Sequence, residues 1–273
     1  HEKTFRECPD DRVFIREEKV MTSNGNRHGL GDIKITGSGS SGGGTFNQVK
    51  IMGDAEISST ADCGLFKCLG TAQVNGSLIA ETASVNGTLN VRENLQGGLL
   101  KSQGEVSVSG DLQLKSISIN GELAVGGNVS SDFVKINGGL RAASGQTEEL
   151  LVRGVVEIPG MLNGERVEIK MYGPSRIGEL VGAKITVKKG LEIPLIGKMT
   201  SHYDGGELSA ESIEGDVVYL ENTKADVVRG RRVNIGSGCE IGLVEYTDEF
   251  KQDTAASVGR FVRLGYFTNN IKG

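Results

Sequence analysis

The sequence predicts an all-β, three-sided β-solenoid with about 17 residues per turn. Three observations carry this. Gly recurs at 53, 70, 87, 104, 121 and 138, every step being 17. Apolar residues fall in i, i+2 pairs, three pairs to each 17-residue unit. The composition holds 41 Gly, 4 Pro and no Trp in 273 residues, which suits many short strands joined by tight turns better than helices.

The apolar pattern sets the local structure. Counting from each lead Gly, offsets +2, +4, +8, +10, +13 and +15 are apolar in five successive turns, except at Gly97, Ser102 and Ser131. The intervening offsets are polar except at Leu65, Leu69, Ile79, Leu99, Ala124 and Phe133. Alternation with period 2 is the signature of a strand with one buried face. A helix would need apolar positions at i, i+3, i+4 and i+7. Three pairs per unit give three short strands and three corners. Identical positions then stack in columns about 4.8 Å apart, one of them Val85, Ser102, Ile119 and Ile136. Asn86, Asn120 and Asn137 precede three of the lead glycines, and Asn-Gly favours the positive φ that a sharp corner needs.

Around this core the chain divides as follows. Residues 1–45 read as a flexible charged tail ending in the linker GSGSSGGG (37–44). Residues 46–189 read as regular coils. Beyond Gly138 the period loosens, with Gly154 after 16 residues and Val156, Ile158, Leu162, Val167 and Ile169 on the expected slots. Residues 190–206, which include Pro194, read as an interruption or a lateral loop; a break there would divide the rod into two sub-solenoids. Residues 207–265 read as a second solenoid segment, in which Val218 to Ile235, Ile241 to Val258 and Val244 to Phe261 are each spaced by 17. Ile241-Gly242 and Val258-Gly259 align with Ile177-Gly178. Residues 266–273 form a short tail. About a dozen coils make a rod of roughly 55–60 Å.

Composition excludes several functions. The net charge of −5 and a pI of about 5.4 disfavour nucleic acid as a partner. No apolar run approaches a membrane span. The first twenty residues are highly charged, have the short triplet Val13-Phe14-Ile15 as their longest apolar run and lack a signal-peptide core, so the expected compartment is the cytoplasm, with Met21 as an alternative start. Cys8, Cys63, Cys68 and Cys239 show no CxxC and no neighbouring His, so no metal site is expected; Cys63 and Cys68 fall on inward slots. Gly37, Gly39 and Gly42 match GxGxxG, but a strand-like TFNQVKI follows instead of a helix, so no dinucleotide cofactor is expected. Asn75, Asn86 and Asn128 formally match glycan acceptors, but Asn75-Gly76 and Asn86-Gly87 read better as tight-turn dipeptides.

Segments such as VNGSLIAETASVNGTLNV and ISINGELAVGGNV, in a strict 17-residue solenoid with a tail and no catalytic apparatus, resemble the bactofilins, polymer-forming cytoskeletal proteins of bacteria. The resemblance is strongest over Val49–Ala142 and continues more weakly to about Leu264. The greater length is closer to the two-part relatives of spore-forming Gram-positive bacteria. The resemblance implies a right-handed parallel β-helix that polymerises without nucleotide and serves as a scaffold for shape, wall-enzyme or motility machinery. It implies no catalytic, cofactor or metal residues. The expected partner is a second copy, end to end. A paralogous subunit and membrane-associated or cell-envelope proteins are further candidates, at the inner face of the cell membrane.

Solenoid physics points the same way, because rod ends expose unpaired strand edges unless capped, and only nine residues follow Leu264. Inward Val108, Leu112, Leu114 and Ile119 are then expected to tolerate no charge. Three alternatives were weighed. An enzyme is disfavoured because His1, His28 and His202 all lie off the regular rod and the outward acids Asp54, Glu56 and Asp62 form no distinct pair. An adhesin or ice-binding surface is disfavoured because Thr71 and Thr88 share their column with Asp54, Glu105 and Glu122. A non-polymerising binding module would use a basic patch of Arg229, Arg231, Arg232, Lys184, Lys188 and Lys189.

Overall fold

A computed structural model describes residues 30–190 and 206–265. Among them there is no helix. Thirteen strands form one sheet in strict chain order, and every neighbouring pair is parallel. They are β1 (Asp32–Ser41), β2 (Gly44–Ile57), β3 (Ala61–Val74), β4 (Leu78–Val91), β5 (Leu95–Val108), β6 (Leu112–Val125) and β7 (Asn128–Arg141). Then follow β8 (Ser144–Met171), β9 (Ser175–Lys189), β10 (Leu208–Leu220), β11 (Thr223–Ile235), β12 (Glu240–Gln252) and β13 (Ser257–Arg263). Each strand wraps around corners, so that one strand contributes to more than one face of the solenoid.

The predicted register holds through the regular coils. Val85 pairs with Ser102, Ser102 with Ile119, and Ile119 with Ile136. All the apolar residues on inward offsets between Ala55 and Ile136 are buried, including Val108, Leu112, Leu114 and Ile119. Gly53, Gly70, Gly87, Gly104, Gly121 and Gly138 pair in one continuous ridge that continues to Gly154. Their φ values run from +121° to +156°. At Gly104 an added Cβ would stand 2.2 Å from the carbonyl oxygen of Gly87, one coil below. Both backbone conformation and space therefore demand glycine at this corner.

A second corner is built from polar side chains. The Ser77 N–H donates to Thr60 Oγ1 (3.2 Å), Asn94 N–H to Ser77 Oγ (3.4 Å), Asp111 N–H to Asn94 Oδ1 (2.8 Å) and Asn128 N–H to Asp111 Oδ1 (2.8 Å). Each coil thus supplies the acceptor for a backbone donor of the next, where the strand ladder is broken.

The structure corrects the sequence reading in three places. The solenoid begins at Asp32, inside the stretch assigned to the tail. The Gly/Ser run lies mostly in β1, with Gly37 paired to Gly53 as the first rung of the ridge. Small residues suit that rung for the reason they suit the ridge, so composition alone did not separate strand from linker. Secondly, residues 190–206 do not break the rod into two sub-solenoids, because β9 pairs directly with β10 from Ser175↔Leu208 to Val187↔Leu220, a pairing that the lateral-loop reading allows. The predicted interruption lies for the most part outside the described residues; it enters and leaves at one corner. Thirdly, the coil after it shortens. Val218 pairs with Val233 and Leu220 with Ile235, a step of 15, so the Val218–Ile235 spacing of 17 joins different columns. Ile241↔Val258 and Val244↔Phe261 do pair at 17.

Where the coil length changes, glycine changes corner. The first ridge stops at Gly154, and a second ladder runs through Gly164, Gly182, Gly215 and Gly230. Ile177 continues the column of Ala210, Ala225, Ile241 and Val258, as its alignment with the later Ile-Gly and Val-Gly pairs predicts.

Candidate assembly surfaces

Among the described residues the strands β1 and β13 each have one neighbour in the sheet, so each presents an edge of N–H and C=O groups with no described partner. At β1 the inward Ile33 and Ile35 are only partly buried, where their column partners Val49 and Ile51 are covered completely or nearly so. The Asp32 carboxylate accepts hydrogen bonds from Gln48 Nε2 and Asn47 Nδ2 in the coil above, and these hold its pKa below the usual carboxylate value.

The far end is aromatic. Tyr246, Phe250 and Phe261 stack in sequence with ring centroids 5.4 and 5.2 Å apart. Phe261 is 57% exposed, against complete burial of Val244 on which it stacks. Aromatic pairs of this spacing are favourable beyond their area, and a large exposed ring at a strand edge marks a surface that gains from being covered.

The other residues singled out by sequence are placed as follows. His1, His28, His202, Cys8, Met21 and the Val13–Ile15 triplet lie outside the described residues. Cys63, Cys68 and Cys239 are buried thiols; burial raises the pKa of Cys68 and of Cys239 to about 11, so both stay protonated at neutral pH. Asp54, Thr71, Thr88, Glu105 and Glu122 share one outward column. Among the described residues no group of three or more His, Cys, Asp or Glu is placed to hold a metal ion. No helix there is long and apolar enough to cross a membrane.

The six basic residues do not form a patch. Arg229 pairs with Glu245 at 2.7 Å and Arg231 with Asp248 at 3.1 Å. Lys188 lies over the Tyr219 ring, 5.5 Å from its centroid, and Lys184 and Arg232 are separated along one column by Val217. An open groove of about 620 Å³ lies beside β10–β13, lined by Lys224, Asp226, Glu240, Ile241, Gly242 and Gly259; Lys224 is held there between Glu207 and Glu240.

Two features escaped the sequence reading. The acceptor ladder at the second corner does recur at 17, but through Thr, Ser, Asn and Asp in turn, so no single residue type marks it. The second glycine ladder has uneven steps and no period to find.

No family model matches the sequence. YhbE of Bacillus subtilis, an uncharacterized protein, is 43% identical over 236 residues, covering 85% of this chain and 98% of YhbE. The chain belongs to the YhbE family. YhbF of the same bacterium, also uncharacterized, is 38% identical over 106 residues, which is 38% of this chain and 42% of YhbF. No solved structure matches.

Proposed function

We propose that this chain is a non-enzymatic, self-assembling scaffold of bactofilin type, acting in the cytoplasm and building filaments by end-to-end contact without nucleotide. The observation that supports this most is the pair of strand edges at β1 and β13 that have no partner among the described residues, with Ile33 and Ile35 at one end and Phe261 at the other, on one parallel sheet. A second copy fits these edges better than an unrelated protein does, because it brings the same 4.8 Å-type strand spacing and the same triangular cross-section. Parallel sheets this long gain from added rungs, as the contacts of each coil are with its neighbours only.

Negative-stain electron microscopy of the purified protein, with analytical ultracentrifugation in parallel, tests the reading. Filaments are expected, and Phe261→Asp is expected to shift the population to short species while leaving the melting temperature of the rod within a few degrees. Monodisperse monomers at every ionic strength would leave the chain as a solenoid binding module and refute assembly.

A further inference from the structure

One face of the rod segregates charge. It lies between the glycine ridge and the adjoining corner, on β1 to β7. Its central outward column runs Lys34, Lys50, Lys67, Ser84, Lys101, Ser118, Lys135 in consecutive rungs. Between Ile33 and Lys135 the outward positions of this face carry no acid at all; Asp32 begins it, and Glu81 and Asp132 stand at its corner. A chain of net charge −5 therefore presents a flat face with five lysines.

Like charges one rung apart disfavour the folded state. Several other columns alternate sign between rungs, although Glu105 and Glu122, Arg166 and Lys184, and Lys170 and Lys188 repeat one sign across a single step. Arg141 sits between Glu122 and Glu157, Lys224 between Glu207 and Glu240, and Arg229 and Arg231 face Glu245 and Asp248. Among the described residues the lysine column has no such partners beyond Asp32, which lies close enough to Lys50 for the lysine to contribute to its lowered pKa.

Apolar side chains flank the column on both sides. On the ridge side Met52 and Leu69 pair with each other and are 47% and 39% exposed. On the other side Leu65, Leu99 and Phe133 are half-buried at every second rung. Seven rungs at about 4.8 Å make a face about 30 Å tall. A flat, rigid surface that mixes lysines with exposed Met and Leu suits the interfacial region of an anionic bilayer. It suits a nucleic acid poorly, because no exposed aromatic side chain stands along the lysine column to stack a base.

We propose that this lysine face docks the rod side-on to an anionic lipid surface. The inference is independent of end-to-end assembly, since it needs only the regular coils. It is tested by flotation of the full chain with vesicles of phosphatidylcholine, alone or mixed with phosphatidylglycerol. Flotation is the right readout because filaments would sediment unaided. Binding is expected only to the anionic vesicles, at about 0.05 M salt, and is expected to be largely lost near 0.5 M.

The triple variant Lys50→Gln, Lys67→Gln, Lys101→Gln should bind about a hundredfold more weakly, from roughly one unit of attraction per lysine at the membrane surface. Its melting temperature should be equal or higher, because stacked like charge is removed. Arg92→Gln, Arg176→Gln, Arg260→Gln changes the net charge equally on other surfaces and should bind like the unaltered chain. Three results would overturn the proposal: no binding to anionic vesicles, equal loss in both triple variants, or tighter capture by duplex DNA than by vesicles.

Discussion

Replacing Gly104 by Ala probes the ridge at its centre. Two costs add. The residue sits at φ +133°, a region that L side chains rarely adopt, and holding Ala there costs about 1–3 kcal/mol. The new Cβ would also lie 2.2 Å from Gly87 O and 3.0 Å from Gly87 C, against ordinary contact beyond 3.4 Å. Both neighbours are backbone held in parallel ladders above and below, so relief comes only by prying rungs apart. Overpacking of this kind costs about 1–3 kcal/mol. The sum is about 4 kcal/mol, and for a rod of this size that lowers the melting temperature by about 10 °C. Gly42→Ala is the matched control: its φ is not positive and nothing lies within 4 Å of the added methyl. That change should stay within about 0.5 kcal/mol. Thermal melts followed by far-ultraviolet circular dichroism decide the matter. If Gly104→Ala melts with Gly42→Ala, the ridge does not depend on glycine and the account of the corner is wrong.

Other expectations follow from the same geometry. Ser102 is 3% exposed, and its Oγ is the one buried side-chain polar atom without a hydrogen-bond partner among the described residues. Ser131, Thr147 and Thr223 in the core each donate to a backbone carbonyl. Ser102→Ala should therefore stabilise the rod by about 1 kcal/mol, read as a raised melting temperature, and a clear destabilisation would show that the hydroxyl has a partner. In a Cys8→Ser background, Cys63, Cys68 and Cys239 should resist alkylation by iodoacetamide at neutral pH until the rod is unfolded; rapid labelling would contradict their burial. The Tyr219 hydroxyl donates to Glu221, and this bond with the adjacent carboxylate pushes its pKa up to about 12. The protonated form is the one the fold favours, so its stabilisation is complete below pH about 10 and is lost as pH rises from there towards 12. Near-ultraviolet titration against Tyr219→Phe should show this tyrosine ionising last.

Much of the fold was legible because a solenoid repeats one local decision. Inward pairs such as Ala72 and Val74, or Leu112 and Leu114, are written in the chain as period 2, and the spacing of Gly53 to Gly138 gives the coil length directly. What misled was repetition without meaning. The Gly/Ser run at 37–44 has the composition of a linker, yet Gly37 is the first rung of the ridge. Val218 and Ile235 are both inward and 17 apart, yet they occupy neighbouring slots, because the coil there takes 15 residues. The rod ends were legible in kind only. That β13 would present Phe261 beside Phe250 depends on pairing across coils, which no local pattern encodes. The lysine column is periodic in the sequence as well, but its weight comes from the absence of acids on the rungs around it, and faces must be assigned before that absence can be seen.

The acceptor ladder from Thr60 to Asn128 gives the molecule a direction. Each rung's donor at that corner is met by an oxygen that an earlier rung has already positioned. A ribosome delivers the chain in the same order, so a nascent coil can settle on a finished template with its acceptor waiting. It follows that excising one 17-residue unit, such as 88–104, brings the Asp111 N–H onto Ser77 Oγ, an oxygen of the same ladder, so the backbone donor at that corner keeps an acceptor. Length is thus a parameter that lineages can adjust while keeping the corner's backbone donors supplied, and a shortened rod should still fold as a rod.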